Sequence, residues 1–244
     1  MRRVVVVQAR MTSTRLPGKV LADLGGYPLL AQMLRRLVRC RRVDDFVVAT
    51  TTNAPDNAVV EVAKAEGVRW FRGDEHNVLS RFLGAAREAH ADMILRITAD
   101  CPLIDPEQVD RVIEALETNP SFDYAANVVE RTFPRGLDTE ALHRDTLERI
   151  GRLAVSASAR EHVTYCVRER PDLFLVCSVR DSQDNSDLRW TVDTPIDLVM
   201  MRRLYAELAL GDHPHDYQRV LSYVRRHPEI SAINAHVEQA VPRA

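Results

Sequence analysis

Twelve residues near the amino terminus, Gln8-Ala9-Arg10-Met11-Thr12-Ser13-Thr14-Arg15-Leu16-Pro17-Gly18-Lys19, gather two arginines, a lysine, three hydroxyls and a Pro-Gly kink. Two guanidinium forks and one ammonium on a single loop can surround a polyphosphate, with hydroxyls and backbone N–H groups filling the remaining positions. The bland alternative for the same residues is a solvated basic loop. The spacing matches neither the dinucleotide-binding G-x-G-x-x-G nor the P-loop G-x-x-x-x-G-K-[ST]. Lys19 draws further notice because Lys64 is the only other lysine among 33 lysines and arginines. A compact ammonium and a planar guanidinium are not interchangeable at a phosphate site.

Two carboxylates follow apolar runs of strand length. Asp100 stands in Arg96-Ile97-Thr98-Ala99-Asp100-Cys101-Pro102-Leu103, and Asp193 in Trp190-Thr191-Val192-Asp193-Thr194-Pro195-Ile196-Asp197-Leu198. Among phosphates an aspartate is repulsive unless a cation lies between them, and two carboxylates with phosphate oxygens and waters make the usual Mg2+ arrangement. Asp100 reads equally well as a turn or cap residue. Thr194-Pro195 reads as a capped helix start, which leaves Asp193 unexplained by capping. Pro134-Arg135-Gly136-Leu137-Asp138-Thr139-Glu140 and Arg160-Glu161-His162-Val163-Thr164 are dense in hydrogen-bonding side chains, as a sugar site requires. Their alternatives are a turn at Arg135-Gly136 and ordinary helix surface at Glu161 and His162. The arginines Arg35, Arg36, Arg39, Arg41 and Arg42 lie mostly opposite an apolar stripe and read as a solvated face. His213-Pro214-His215 reads as a linker.

These residues need a scaffold that brings them to one edge. Val4 to Ala9 is a continuous apolar run suited to a strand covered on both faces. Leu29, Leu30, Met33, Leu34, Leu37 and Val38 recur at helical spacing. Strands follow at Phe46–Thr50, Val68–Phe71 and Met93–Ile97, alternating with helices around Asn57–Glu66, Val78–Ala86 and Pro106–Leu116. This rhythm predicts a doubly wound α/β fold with a mostly parallel sheet, in which ligands bind beyond the carboxyl ends of the strands. Residues 123–181 mix short strands and helices and are expected to form a small irregular lobe. Trp190–Val192 is expected to return as a strand, before C-terminal helices from Pro195 to Leu210 and His215 to Arg226.

Composition narrows the function classes. The 244 residues fit one substantial domain, and 33 basic against 35 acidic residues argue against a nucleic-acid coat or a general membrane binder. Cys40, Cys101, Cys166 and Cys177 are too scattered for a zinc site or disulfide framework, which fits a cytoplasmic protein. Met1-Arg2-Arg3 followed by four valines is too short an apolar run for a signal peptide, and no stretch reaches the roughly 20 apolar residues of a membrane span.

Taken together, the motifs resemble the cytidylyltransferases that make CMP-ulosonic acids, such as the KDO and acylneuraminate enzymes. They resemble in particular the branch of spore-coat polysaccharide biosynthesis protein F. The resemblance is carried by Ala9 to Lys19, Ala49-Thr50-Thr51-Thr52-Asn53, Gly73-Asp74 with Asn77-Val78-Leu79 and Arg81, and Arg96 to Pro102. Pro134 to Asp138, Arg160 to Thr164 and Thr191 to Pro195 complete it. It implies a mixed, mostly parallel nucleotide-diphospho-sugar transferase fold of the GT-A plan, as a single nucleotidyltransferase domain over 1–244. Residues 123–181 would serve as sugar-binding and dimerisation lobe, and 195–244 as C-terminal helices. It implies that Ala9, Arg10, Ser13, Arg15, Lys19, Thr98 and Asp100 bind the nucleotide, with Arg10, Arg15 and Lys19 on the CTP triphosphate. It further implies that Asp100 and Asp193 bind Mg2+, that Arg135, Asp138, Glu161 and His162 approach an acidic sugar, and that the protein is a homodimer. One departure stands out. The KDO enzymes carry Gln-Gly before the first metal aspartate, where this chain has Thr98-Ala99.

The expected reaction is in-line attack of a sugar hydroxyl on the α-phosphorus of CTP, which needs mainly positioning and charge neutralisation. A GT-A glycosyltransferase using a nucleotide sugar would release a nucleoside diphosphate instead of pyrophosphate, and no Asp-x-Asp motif follows Met93–Ile97. A non-catalytic nucleotide-binding protein on the same fold would bind CTP without turnover.

Overall fold

The computed structural model describes residues 1–238. Its strands are β1 (Arg3–Gln8), β2 (Asp23–Leu24), β3 (Tyr27–Pro28), β4 (Asp45–Thr51), β5 (Arg69–Gly73), β6 (Met93–Thr98), β7 (Tyr124–Ala126), β8 (Glu140–His143) and β9 (Val176–Ser178). Its α-helices are α1 (Leu29–Leu37), α2 (Asn57–Ala65), α3 (Val78–Glu88), α4 (Pro106–Thr118), α5 (Arg144–Leu153), α6 (Ala157–Glu161), α7 (Tyr165–Glu169), α8 (Pro195–Glu207), α9 (Tyr217–Arg226) and α10 (Pro228–Ser231). Apart from the small β2–β3 hairpin, the strands form one sheet in the order β5-β4-β1-β6-β8-β7-β9. The neighbours from β5 to β6 are parallel, β8 runs antiparallel to β6 and β7, and β9 is parallel to β7. The expected mixed, mostly parallel α/β sheet is what the chain adopts.

The valine run explains why β1 sits at the centre. Val4 and Val6 pack with Val78, Leu79 and Phe82 of α3. Val5 and Val7 pack on the opposite face with Leu30, Met33, Leu34 and Leu37 of α1 and with Val109 and Val112 of α4. A strand buried on both faces needs no alternation, and each such side chain contributes about 1.5–3 kcal/mol relative to exposure. After β1 the chain winds outward to β4 and β5, then crosses back to place β6 on the other side of β1. The sheet therefore reverses direction beside β1, where open α/β sheets bind ligands. Register pairs Gln8 with both Ala49 and Thr98, so the segments leaving β1, β4 and β6 emerge together.

The short strands and helices of 123–181 attach to the main sheet: β7, β8 and β9 extend it, and Leu147, Ile150 and Ala159 join the α3 side of its core. Two expectations change. Trp190–Val192 is not a strand. The Trp190 N–H bonds to Arg135 O, while that of Val192 bonds to Asp100 O, so the backbone changes partner within two residues and no ladder forms. Arg36 does not belong to the solvated face: it is buried and donates from Nε to Ile104 O at 2.8 Å and from Nη2 to His215 O at 2.6 Å. The C-terminal helices appear as α8, α9 and α10, and the end of the expected 195–244 segment lies outside the described residues. Among the described residues no helix is long and apolar enough to cross a membrane.

Candidate active site

The loop after β1 is tied down at several points. Gly18 adopts φ 72°, a left-handed conformation that glycine takes without steric cost. Its N–H returns to Met11 O at 2.8 Å, closing the loop before the short 3-10 turn Lys19–Leu21. Buried Asp56 accepts the Met11 N–H at 2.7 Å and also binds the Thr51 N–H and hydroxyl, fastening the loop to the end of β4. Glu75 accepts from the Thr12 hydroxyl and from Asn53 Nδ2, while buried Arg81 donates to the carbonyls of Asp74 and Glu75. Asp56, Glu75 and Arg81 thus support the site from behind.

At the centre, Lys19 Nζ lies 2.9 Å from Asp100 Oδ2 and 2.8 Å from Asp193 Oδ1. Arg15 Nη2 and Arg189 Nη2 each approach Asp193 Oδ2 at 3.0 Å. Thr98 donates its hydroxyl to Asp100 Oδ1 at 2.6 Å, so this side chain orients the carboxylate. Burial alone would raise the Asp100 pKa, but the Lys19 ammonium and the bonds from Thr98 and Lys19 outweigh it and hold the carboxyl well below its usual range. Burial likewise disfavours charge on Lys19, and the two carboxylates overcome it and raise the ammonium pKa. Both groups are charged at neutral pH. Two carboxylate oxygens, one just past β6 and one just before α8, thus converge on one cation, the Lys19 ammonium, and hard oxygen donors of this kind suit a divalent ion such as Mg2+. Among the described residues no group of three or more His, Cys, Asp or Glu side chains is placed to hold a metal by itself.

Two adjoining cavities open from this point. The first, of about 430 Å3, is lined by Ala9, Arg10, Ser13, Arg15, Lys19, Thr98, Asp100, Glu161 and Asp193 among others. Every residue expected at the nucleotide and metal therefore faces one space. The second, of about 840 Å3, takes in Arg135, Asp138, Glu161 and His162 and shares Arg15, Thr98, Asp100 and Asp193 with the first. The four expected sugar residues thus border the carboxylate pair from the other side. Gly136 makes this approach possible: at φ 108°, an added Cβ would meet the Trp190 carbonyl carbon at 2.6 Å. Glu161 stands between the cavities, 3.9 Å from Arg10 Nη2.

In the second cavity, Asp138 is engaged by a two-pronged Arg131 at 2.7 and 2.8 Å. Arg96 donates to buried Glu140, which also accepts the Tyr124 hydroxyl at 2.7 Å. Burial and the neighbouring Arg131 lower the Arg135 pKa, so Arg135 sits where an added anion is favourable. Burial also lowers the His162 pKa, with Arg96 and Arg168 adding to it, which leaves the imidazole neutral at pH 7.

Sequence reasoning did not single out Asp56, Glu75, Arg189 or Asp197. Asp56 and Glu75 look like loop polars, and Asp197 like an ordinary capping-box acid. The one available signal was Arg189, a charged residue directly before the apolar Trp190-Thr191-Val192 run.

Comparison with known proteins adds to this geometry. A family model described as Cytidylyltransferase matches residues 4–222. The spore coat polysaccharide biosynthesis protein SpsF of Bacillus subtilis is 31% identical over 92% of this chain and 94% of its own. A 3-deoxy-manno-octulosonate cytidylyltransferase of Anaeromyxobacter is 35% identical over 62% of this chain and 58% of its own. The solved structure of a cytidylyltransferase from Leptospira borgpetersenii superposes with a TM-score of 0.91 at 30% identity, covering 100% of both chains.

Proposed function

The chain belongs to the cytidylyltransferase family, and we propose that it transfers CMP from CTP to an acidic sugar of the ulosonic or nonulosonic type, releasing pyrophosphate, for surface polysaccharide. The observation that carries this is the junction of Lys19 with Asp100 and Asp193, with Arg15 on Asp193 and Arg10 lining the same cavity, between a cavity fit for a triphosphate and one rich in cations.

In this reaction a sugar hydroxyl oxygen bonds to the α-phosphorus of CTP and gives up its proton to solvent water, while the bridge to the β-phosphate breaks and pyrophosphate carries away the electron pair. Arg10, Arg15 and Lys19 neutralise the triphosphate and the charge that gathers on the departing pyrophosphate. Asp100 and Asp193 would hold Mg2+, which would supply positive charge for the phosphates and lower the pKa of the attacking hydroxyl. Arg135 takes the acid group of the sugar, and His162 and Glu161 orient its hydroxyls toward the first cavity. Thr98 keeps Asp100 turned to the phosphates. A homodimer through 123–181, where Val155 and Leu175 are exposed, and a cytoplasmic location belong to the same reading.

The test is pyrophosphate release from CTP, UTP, GTP and ATP with Mg2+ against a panel of acidic sugars. Release confined to CTP and an acidic sugar supports the proposal. Release of a nucleoside diphosphate from a nucleotide sugar would point to a glycosyltransferase. CTP binding with no turnover across the panel would point to a sensing protein.

A further inference from the structure

The two oxygens of Asp193 have different neighbours. Oδ1 faces Lys19 Nζ at 2.8 Å in the gap shared with Asp100. Oδ2 faces two guanidinium groups, those of Arg15 and Arg189, each at 3.0 Å. These two arginines differ in how they are held. Arg15 lies on the phosphate loop with its side chain 35% exposed, whereas that of Arg189 is 6% exposed. Arg189 is gripped from behind by Asp197, Nε to Oδ1 at 2.8 Å and Nη2 to Oδ2 at 3.0 Å.

Asp197 is fully buried in the first turn of α8 and holds more than this arginine. Its Oδ2 accepts the backbone N–H groups of Asp193 and Thr194 at 3.1 and 2.9 Å. Its Oδ1 accepts Asn234 Nδ2 at 2.8 Å, and Asn234 also donates to the Arg189 carbonyl at 3.1 Å. One carboxylate therefore fixes both the backbone of Asp193 and the guanidinium that touches its side chain.

We propose that Arg189 is a positioning residue for the divalent ion: it occupies Oδ2 of Asp193, so that Oδ1 alone faces the gap and Asp193 ligates through one oxygen. The proposal rests on the reading of Asp193 as an ion ligand. A carboxylate on a short side chain turns freely about its last bond, and a fork clamped by a buried acid removes that freedom. Arg15 and Lys19 can then turn to the phosphates without leaving Asp193 unneutralised, because the third cation stays. Partners behind a metal ligand are worth about 10–100-fold in metal affinity or activity, which sets the expected size of the effect.

The test uses Mn2+ as a paramagnetic probe on the full chain, with a CTP analogue whose α,β-bridge resists cleavage. Arg189→Lys keeps the charge beside Asp193 but cannot fork onto two carboxylates. Its Mn2+ affinity should fall by about tenfold, while binding of the analogue in EDTA is unchanged and the Mn2+ resonance changes shape. Asn234→Leu keeps the Arg189 guanidinium and removes the bonds to Asp197 Oδ1 and to the Arg189 carbonyl; its Mn2+ affinity should fall in the same direction by less, and it carries the test if Arg189→Lys does not fold. Wild-type Mn2+ affinity in the variants, or equal loss of Mn2+ and analogue, overturns the proposal. Asp193→Asn separates this from the reading beneath it. Undiminished Mn2+ binding there removes Asp193 as a ligand, whereas loss there with none in Arg189→Lys removes only the positioning role.

Discussion

The Lys19 ammonium lies 2.8 Å from Asp193 Oδ1 across 174 residues of chain, and the same nitrogen reaches Asp100. It joins the loop after β1 to the residue just before α8, and it neutralises two carboxylates that would otherwise face one another. An ammonium held by two carboxylates occupies the kind of place a divalent ion would take.

Lys19→Met should therefore act on stability and on ion binding in opposite ways. Without the ammonium, Asp100 and Asp193 repel, so the melting temperature without divalent ions should drop. Added Mg2+ should restore more stability to the variant than to the wild type, since no ammonium competes for the oxygens. Turnover should fall on the order of a hundredfold through lost charge stabilisation. Equal thermal response of both proteins to Mg2+ would show that Lys19 and the ion do not share a place.

The acidic limb of stability should follow Glu140. Burial alone would raise its pKa, but Arg96, with hydrogen bonds from Thr164 and Tyr124, brings it below the ordinary glutamate value. A carboxyl depressed by folding contributes stability that is present above its unfolded pKa, about 4.3. That contribution is lost as pH falls through the lower folded value. Glu140→Gln leaves Arg96 buried without its counter-charge and should cost about 3 kcal/mol at pH 7. The gap between variant and wild type should close in acid. Denaturant unfolding from pH 7 down to about 3 measures this, and a gap that stays constant refutes the linkage.

Arg135 offers a split between the two substrates. It borders the second cavity and not the first, under burial and the influence of Arg131. Arg135→Ala should raise KM for the acidic sugar by about tenfold or more, the loss of a charge-assisted bond of roughly 1.5–3 kcal/mol. KM for CTP should not move. Steady-state kinetics with each substrate varied in turn decides it, and a parallel rise in both constants would place Arg135 elsewhere.

Much of this was legible because the chemistry sits where apolar runs end, at the ends of β1 and β6 and just before α8. The valine run, the helical spacing of Leu30, Met33, Leu34 and Leu37, and the Pro106 helix start are local signals, and each became the expected element. Lys19, Asp100 and Asp193 stood out by residue type and by what precedes them. Trp190–Val192 misled because its apolar side chains are buried by α8 and α9 while its backbone bonds to two separate segments. Arg36 misled because helix periodicity says which way a side chain leaves the axis but not what later packs over it, here the carbonyls of Ile104 and His215. Arg189, Asp197 and Asn234 meet only in the folded chain, as do Asp56 and Met11. Long-range polar contacts of this kind leave no periodic trace.

Asp56 gives a last test, of whether the phosphate loop is preorganised. Its side chain is buried and divided between Met11 N–H on the loop and Thr51 at the end of β4. Asp56→Asn keeps the shape but turns one acceptor oxygen into a donor, which then opposes either the Met11 or the Thr51 N–H. The unsatisfied contact should cost about 1–3 kcal/mol of stability. The larger consequence falls on the loop, since Arg10, Arg15 and Lys19 must then be ordered at the expense of nucleotide binding. CTP affinity should weaken and the loop amides should exchange faster with deuterium, while the amides of β6 keep their protection. Unchanged exchange from Arg10 to Lys19 would mean that the Pro17-Gly18 kink and the ion pairs of Lys19 order the loop without Asp56.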